Sequence, residues 1–153
     1  MTPLDSFDLA ILRILQRDNT TPQRTIGEAV NLSAPSVQRR IRRMESEGVI
    51  SANVAMVAPE KVGMLLTIFV QVELVSETPA DIDRMKRRFR EAPEVQQCFY
   101  VTGEADFMLV VVVESMAAYE DFTRRNFFQD GNVRKFRTFI SMDAVKRSAA
   151  LNI

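Results

Sequence analysis

Apolar residues recur every three or four positions in three short segments at the start of the chain, and this spacing predicts three helices. The first helix covers about residues 5–17, with acidic side chains in its first turn, where the helix dipole favours them. The second covers about residues 22–30, where Pro22 suits the first helical position and Thr21 can cap the helix. We expect this second helix to bury Ile26, Ala29 and Val30.

The third helix follows the second after a short turn. Asn31 tolerates the left-handed conformation that ends a helix, and Ser33 is the expected N-cap of the next helix, which Gly48 closes. The apolar side of this third helix consists of Val37, Ile41 and Met44. Two short helices separated by a tight turn are typical of a helix-turn-helix motif.

Beyond residue 64 the apolar pattern changes from a helical period to a strand period. One face of the first strand consists of Ile68, Val70, Val72 and Leu74. The pattern then predicts a capped helix in the segment 78–93, which ends before Pro93, and strands at 95–102 and 107–113. A second helix capped by Ser115 and a last strand at 133–145 follow. The run 107–113 is apolar on both faces, which is typical of a central strand. This βαββαβ order is that of a ferredoxin-like fold, with two helices on one face of a four-stranded sheet.

These elements place the chain in the α+β class. We expect a helix-turn-helix domain over residues 1–50, a hinge strand or linker over 51–62, and a ferredoxin-like domain over 63–153. The second face of the sheet carries Phe69 among Thr and Gln side chains and has no predicted cover within the chain. A partner subunit would supply that cover.

Composition narrows the range of functions. The 153 residues include 20 basic and 20 acidic ones, and this balance argues against a protein that coats nucleic acid through bulk electrostatics. The chain has no histidine and a single cysteine, Cys98, so the commonest general base and the commonest metal ligand are missing. Catalysis by carboxylates or lysines would still be chemically possible, but no constellation of such residues suggests it, and we predict no metal site, no cofactor and no catalytic centre. We see neither a secretion signal nor an apolar run long enough to cross a bilayer, so the expected location is the cytoplasm.

Positive charge is nevertheless concentrated in the third helix, where four arginines occupy five positions. Opposite the apolar side lie Pro35, Arg39, Arg42 and Ser46, flanked by Gln38 and Arg43. Arg40 lies nearer the buried edge, where it would pack or brace a phosphate. A similar cluster at residues 85–90 has no helix-turn-helix context, and we interpret it as a solvated helix face. The first cluster can enter a major groove, where Arg recognises guanine and Gln recognises adenine.

Two motifs make this interpretation more specific. The start LDSFDLAIL, followed by LSAPSVQRRIRRMESEGVI, resembles the Lrp/AsnC (leucine-responsive/asparagine regulator) family, and the later VTGEADFMLVV is similar to the glycine-x-x-aspartate turn of that family. The resemblance covers nearly the entire chain. It implies a winged or simple helix-turn-helix, a hinge strand and a ferredoxin-like domain for regulation by amino acids.

The same resemblance implies a sequence-specific DNA-binding transcription regulator whose DNA binding or assembly is modulated by a small amino acid. It implies homodimers formed through the sheet domain and often tetramers of dimers. The positions that correspond to the DNA-binding region of the family are Ser33, as the helix cap, and Ser36, Gln38, Arg39, Arg42 and Arg43 as contact residues.

The turn before Phe107 is a second candidate site. Gly103 permits close approach of the backbone, Asp106 can accept hydrogen bonds from an α-ammonium group, and free backbone N–H groups can meet an α-carboxylate. The residues alone favour an ordinary β-hairpin, in which Gly and Asp are common. The resemblance favours an effector site between adjacent dimers.

Carried over from the family, that effector site consists of Thr102, Gly103, Glu104 and Asp106, with Thr138 and Ile140 on the last strand. Ala105 departs from the tyrosine often found in the family, which changes the expected pocket shape. The alkyl-rich surroundings favour an apolar effector such as leucine or methionine.

Two other functions fit the same architecture. Some haem-pathway decarboxylases resemble this family, but they rely on histidines, and this chain has none. A stand-alone amino-acid-sensing or assembly module would carry a helix-turn-helix that had lost its basic face, and here that face is present.

Overall fold

Three helices form the first of two units in the computed structural model, which describes residues 3–153. They are α1 (Ser6–Leu15), α2 (Gln23–Val30) and α3 (Ala34–Ser46). Ser33 is the N-cap of α3, as predicted. Its hydroxyl oxygen accepts a hydrogen bond from the Ser36 N–H, with an N–O distance of 3.4 Å. Asn31 has a φ of 56°, which confirms the expected left-handed residue between α2 and α3. The helices enclose a core of Ile11, Leu12, Ile26, Val30, Val37 and Met44.

Two details of α2 differ from the prediction. Pro22 rather than Thr21 occupies the N-cap position, and the Thr21 hydroxyl donates instead to the main-chain oxygen of Asp18 at 2.7 Å. Ala29 is exposed, whereas Gly27 is buried. The physical reason is that the helix turns its other side, which includes Gly27, toward the turn that leads into α3.

The end of the chain returns to the helical unit. Lys146–Ile153 group with the segment that ends at Met56, and Val57–Val145 form the second unit. The Gln16 side chain accepts the N–H of Leu151 at 2.6 Å and donates to its carbonyl at 3.2 Å, while Ile153 packs against the helical core. The predicted domain over residues 63–153 thus differs from the structure at its C-terminal end, because the tail packs on α1.

Residues 51–58 are exposed and form no strand, so of the two predicted alternatives, a hinge strand or a linker, this segment has the form of a linker. A strand needs a neighbouring strand for its N–H and C=O groups, and none of the described strands pairs with this segment. A short 3₁₀ turn, Pro59–Val62, follows.

The second unit is an antiparallel sheet covered by helices. Its strands are β1 (Leu66–Leu74), β2 (Val95–Tyr100), β3 (Phe107–Val113) and β4 (Val133–Ile140), in the spatial order β2-β3-β1-β4. The connections are α4 (Pro79–Glu91) and α5 (Met116–Thr123), the latter continued by a π-helical turn at Arg124–Phe128. The predicted βαββαβ order and the central position of β3 are confirmed. β4 ends at Ile140 rather than at residue 145, because its pairing with β1 starts at Ile68 and Ile140.

Side chains along each strand point alternately to the two faces of the sheet, and the helices cover only one of these faces. The helix side is buried through the four predicted residues of β1 together with Met85, Phe89, Tyr119 and Phe122 of the helices. On the opposite face Phe69 and Phe139 are cross-strand partners and remain 42% and 50% exposed. This open sheet face is therefore an apolar surface that the described residues of the chain leave uncovered. No helix within residues 3–153 is long and apolar enough to span a membrane.

Candidate DNA interface and effector turn

Two arginines of α3 extend from the exposed side of the helix. Arg39 and Arg42 are exposed, and among residues 3–153 neither guanidinium has a hydrogen-bond acceptor or an ion-pair partner. Residues three positions apart are neighbours on a helix surface, so the two side chains share one face. That face also carries the partly exposed Ser36 and Gln38. Its free donors suit an anionic or acceptor-rich partner.

Arg40 and Arg43 have different surroundings. Arg40 donates to Asp8 Oδ1 and to Asp5 Oδ2, both at 2.8 Å, and Arg43 donates to Asp8 Oδ2 at 2.5 Å. The sequence pattern grouped Arg43 with Arg39, but the structure directs the Arg43 guanidinium toward α1. The missed residue is Asp8, whose position in the first turn of α1 suggested only a favourable interaction with the helix dipole.

Asp8 is fully buried and charged. Its burial raises the pKa of the carboxyl, but hydrogen bonds from the Asp5 N–H, Arg40 and Arg43 outweigh burial and hold that pKa below its ordinary value. Asp8 is thus a carboxylate at neutral pH. It connects the N-terminal turn of α1 to α3 through two charge-assisted hydrogen bonds.

Gly27 shapes the turn between α2 and α3. A Cβ atom on this residue would lie 2.4 Å from the main-chain oxygen of Leu32, closer than atoms can approach. The Leu32 N–H in turn donates to the Gly27 carbonyl at 2.9 Å. The pattern of apolar residues does not identify this role of Gly27. The sequence does show a glycine inside a predicted helix, and because glycine there costs about 1 kcal/mol relative to alanine, its presence indicates a structural reason.

The second basic cluster lies on α4 and packs within its own unit. Arg88 donates to Asp130 at 3.0 Å, and the Lys86 ammonium lies 4.8 Å from the centre of the Tyr100 ring. Arg87 is exposed and has no partner among the residues that the structure describes. Because Arg87 belongs to another unit but resembles Arg39 in charge and exposure, it is a matched control for the arginines of α3.

The turn between β2 and β3 places three of the candidate effector residues at the surface. Thr102, Gly103 and Glu104 are exposed, and Gly103 has a φ of 122°, which L side chains rarely adopt. Asp106 is partly buried, and its Oδ2 accepts the N–H of Leu74 at 2.7 Å. One oxygen of this carboxylate therefore closes the end of β1. The other, Oδ1, has no partner among the described residues.

The two candidates on β4 lie apart from this turn in the single chain. The Asp106 N–H donates to the carbonyl of Val72, whereas Thr138 pairs with Val70 and Ile140 with Ile68. Two and four residues along a strand correspond to about 7 and 14 Å. The Thr138 hydroxyl shares a 2.6 Å hydrogen bond with the Tyr119 hydroxyl, so it faces α5.

Arg137 connects β4 to the turn and was missed by the sequence pattern. Its Nη1 lies 3.5 Å from Glu104 Oε2, and its Nη2 lies 4.0 Å from Glu73 Oε1. Only the register between β1 and β4, which pairs Gln71 with Arg137, brings these groups together. The turn therefore carries an ion pair at the open sheet face.

Within residues 3–153 no group of three or more aspartate, glutamate or cysteine side chains is arranged to hold a metal ion. Cys98 is partly buried, and this burial raises the pKa of its thiol even though the charge of Arg90 offsets part of the effect. The thiol is accordingly protonated near neutral pH.

Comparison with known proteins finds one domain match in the N-terminal part of the chain and one in the C-terminal part. Residues 4–45 match the AsnC-type helix-turn-helix domain, and residues 67–151 match the Lrp/AsnC ligand binding domain. An uncharacterized HTH-type transcriptional regulator of Sinorhizobium fredii is 40% identical over 150 residues, which are 98% of this chain and 89% of that protein.

Two solved structures share the entire architecture. An AsnC family transcriptional regulator from Agrobacterium tumefaciens superimposes with a TM-score of 0.90 at 34% identity, over 97% of this chain and 96% of that one. A transcriptional regulator from Neisseria meningitidis, in complex with L-Met, superimposes with a TM-score of 0.88 at 27% identity and with the same coverage. Together with the two domain matches, these similarities show that the chain belongs to the Lrp/AsnC family of transcriptional regulators.

Proposed function

We propose that this protein regulates transcription in the cytoplasm by placing α3 in the major groove of double-stranded DNA. The observation that carries the proposal is the pair of free guanidinium groups, Arg39 and Arg42, on one face of α3. Each can make two hydrogen bonds to a guanine, while Gln38 and Ser36 are placed to read or contact neighbouring positions. Ser33 contributes indirectly, because its cap keeps the first turn of α3 in place.

A gel shift with the DNA upstream of the protein's own gene tests this proposal. We expect a retarded band that unlabelled upstream DNA competes away and that the same excess of an unrelated duplex does not. No retardation at about 50 mM salt, where phosphate contacts are strong, would contradict the proposal.

The unit that binds DNA is proposed to be a homodimer, assembled further into tetramers of dimers. The open sheet face supports this assembly, because Phe69, Phe139 and the neighbouring Val110 form a continuous apolar surface. Two copies packed through this face would bury it. The two α3 helices of a dimer would then address half-sites about 34 Å, or a multiple of that distance, apart.

The effector is proposed to be a small amino acid bound at residues 102–106. Asp106 Oδ1 is available to accept from an α-ammonium group, and the backbone around Gly103 is open to an α-carboxylate. The separation between this turn and Thr138 or Ile140 favours a site that combines the turn of one subunit with β4 of another. L-Met in the Neisseria relative supports an apolar amino acid such as methionine or leucine.

Calorimetry of the full-length protein against the twenty amino acids tests the effector proposal. We expect binding of one or a few apolar amino acids, with heat that disappears when the same amino acid carries a methyl ester in place of its α-carboxylate. If none of the twenty binds, the turn is an ordinary hairpin and the effector site is wrong.

A further inference from the structure

The four arginines of α3 divide into two pairs, on adjacent sides of the helix. Arg39 and Arg42 are the free pair, and Arg40 and Arg43 are the pair that faces α1. Only 19% of the Arg40 side chain and 31% of the Arg43 side chain are exposed. The Nε atoms of both are buried without a hydrogen-bond partner, so these guanidiniums are turned inward rather than toward solvent.

The inward pair is held by one buried carboxylate. Asp8 Oδ1 accepts from Arg40 at 2.8 Å, and Asp8 Oδ2 accepts from Arg43 at 2.5 Å and from the Asp5 N–H at 3.0 Å. The Asp8 side chain is 1% exposed, so water cannot replace either guanidinium. Withdrawing either arginine would leave the buried Asp8 carboxylate with one charged partner in place of two, which is unfavourable.

Arg40 has two further contacts on the same side. Its Nη1 also donates to Asp5 Oδ2, and its guanidinium carbon lies 5.5 Å from the centre of the Phe7 ring. The two carboxylates and the two guanidiniums form a cluster with no net charge. The positive charge that α3 presents to a partner is thus that of the free pair alone.

We infer that Asp8 is a positioning residue that withholds Arg40 and Arg43 from DNA and sets the rotation of α3 about its axis, so that Arg39 and Arg42 alone point outward. This inference rests on the proposed DNA binding by α3. Successive helical residues are separated by about 100°, so holding residues 40 and 43 against α1 also fixes where residues 39 and 42 point. The acidic start of α1 thereby limits how many phosphates each helix neutralises.

The salt dependence of DNA binding tests the inference. For B-DNA the slope of log K against log salt concentration is about −0.9 for each phosphate neutralised. Anisotropy titrations of the full-length protein on a random-sequence duplex, from about 50 to 200 mM salt, would compare the native chain with Arg39→Ala, Arg43→Met and Asp8→Asn. Methionine keeps an unbranched stem for packing while removing the charge.

On the random-sequence duplex Arg39 meets phosphates rather than a specific guanine, so we expect Arg39→Ala to flatten the slope by up to about 0.9 per bound recognition helix and Arg43→Met to leave it unchanged. Asp8→Asn should make the slope steeper, because the two released guanidiniums can then reach phosphates. It should also lower the ratio of binding to the upstream DNA over the random duplex. A change in stability alone would leave both slope and ratio unaltered, so these readouts separate positioning from folding.

The inference is overturned if Arg43→Met flattens the slope as much as Arg39→Ala, since Arg43 would then contact phosphate. It is overturned equally if folded Asp8→Asn keeps the native slope and ratio. Should Asp8→Asn fail to fold, the comparison of Arg39→Ala with Arg43→Met decides alone. A native protein that binds no DNA in this salt range refutes the proposed function as well, which distinguishes the two failures.

Discussion

The Cα of Gly27 lies against the carbonyl of Leu32, so that a Cβ at position 27 would come within 2.4 Å of the Leu32 oxygen. The Leu32 N–H also donates a hydrogen bond to the Gly27 carbonyl. The tight connection between α2 and α3 therefore depends on the absence of a side chain at this position.

We predict that Gly27→Ala destabilises the helical unit by about 1–3 kcal/mol, the usual range for forcing extra atoms into a packed site, despite the higher helix propensity of alanine. Urea unfolding followed by circular dichroism measures the change. Ala29→Ser, at an exposed position of α2 two residues further along, is the control and should cost far less. A native-like midpoint for Gly27→Ala would mean that the turn adjusts at no cost.

Arg39→Ala and Arg42→Ala should each weaken binding to the upstream DNA by about 1–3 kcal/mol, because each removes hydrogen bonds to a base or a phosphate. Arg87→Ala removes an exposed charge from α4 and should have little effect. Anisotropy titration of the three variants under one salt condition makes the comparison. Equal losses at all three positions would show that general basicity, rather than the geometry of α3, drives binding.

Phe69→Asp should convert the proposed dimer into monomers, because it places an unpaired carboxylate in the apolar centre of the open sheet face. Met116→Asp is the control, since Met116 is 49% exposed at the start of α5, where an acidic residue is favourable. Sedimentation equilibrium of the full-length variants measures the result. If Phe69→Asp self-associates as strongly as the native chain, the dimer interface lies elsewhere.

Asp106 has both a main-chain partner and a proposed ligand role, so two substitutions are needed to separate them. Asp106→Ala removes the acceptor of the Leu74 N–H and should cost about 1–3 kcal/mol of stability. Asp106→Asn can keep that hydrogen bond through its amide oxygen, yet it removes the charge proposed to bind the α-ammonium group. We expect near-native thermal stability with amino-acid binding weakened by about 1.5–3 kcal/mol in calorimetry. Equal binding by Asp106→Asn and the native chain would contradict the ligand role.

Acid should weaken the helical unit through Asp8. The pKa of Asp8 lies below its ordinary value of 3.8, so its ion pairs contribute fully above about pH 4 and are lost as the pH falls through the lower folded value. We expect the stability difference between the native chain and Asp8→Asn to be largest near pH 7 and to shrink below pH 3.8. Urea unfolding at several pH values measures it. A difference that stays constant down to pH 3 would rule out this linkage.

Local features of the structure were predictable because they depend on residues a few positions apart. Ser33 and Ser115 cap α3 and α5 by accepting an N–H three residues ahead, and β1 buries every second residue along its length. Helical spacing likewise predicted the three N-terminal helices and their core, while strand alternation and order predicted the ferredoxin-like sheet. In each case the feature depends on residues close together in sequence, which supply either the hydrogen-bond partner of a helix cap or the regular spacing of apolar side chains.

The partners of charged side chains were decided only by the tertiary structure. Arg43 finds Asp8 35 positions away, and Asp106 finds the N–H of Leu74 32 positions away. Both encounters depend on how α1 packs on α3 and on the register between strands, which no local spacing specifies. The same reason explains the C-terminal tail, in which Leu151 bonds to Gln16 across 135 positions. Residue types and the family resemblance together selected the candidate side chains for DNA and effector binding, and packing determined which of them already have partners.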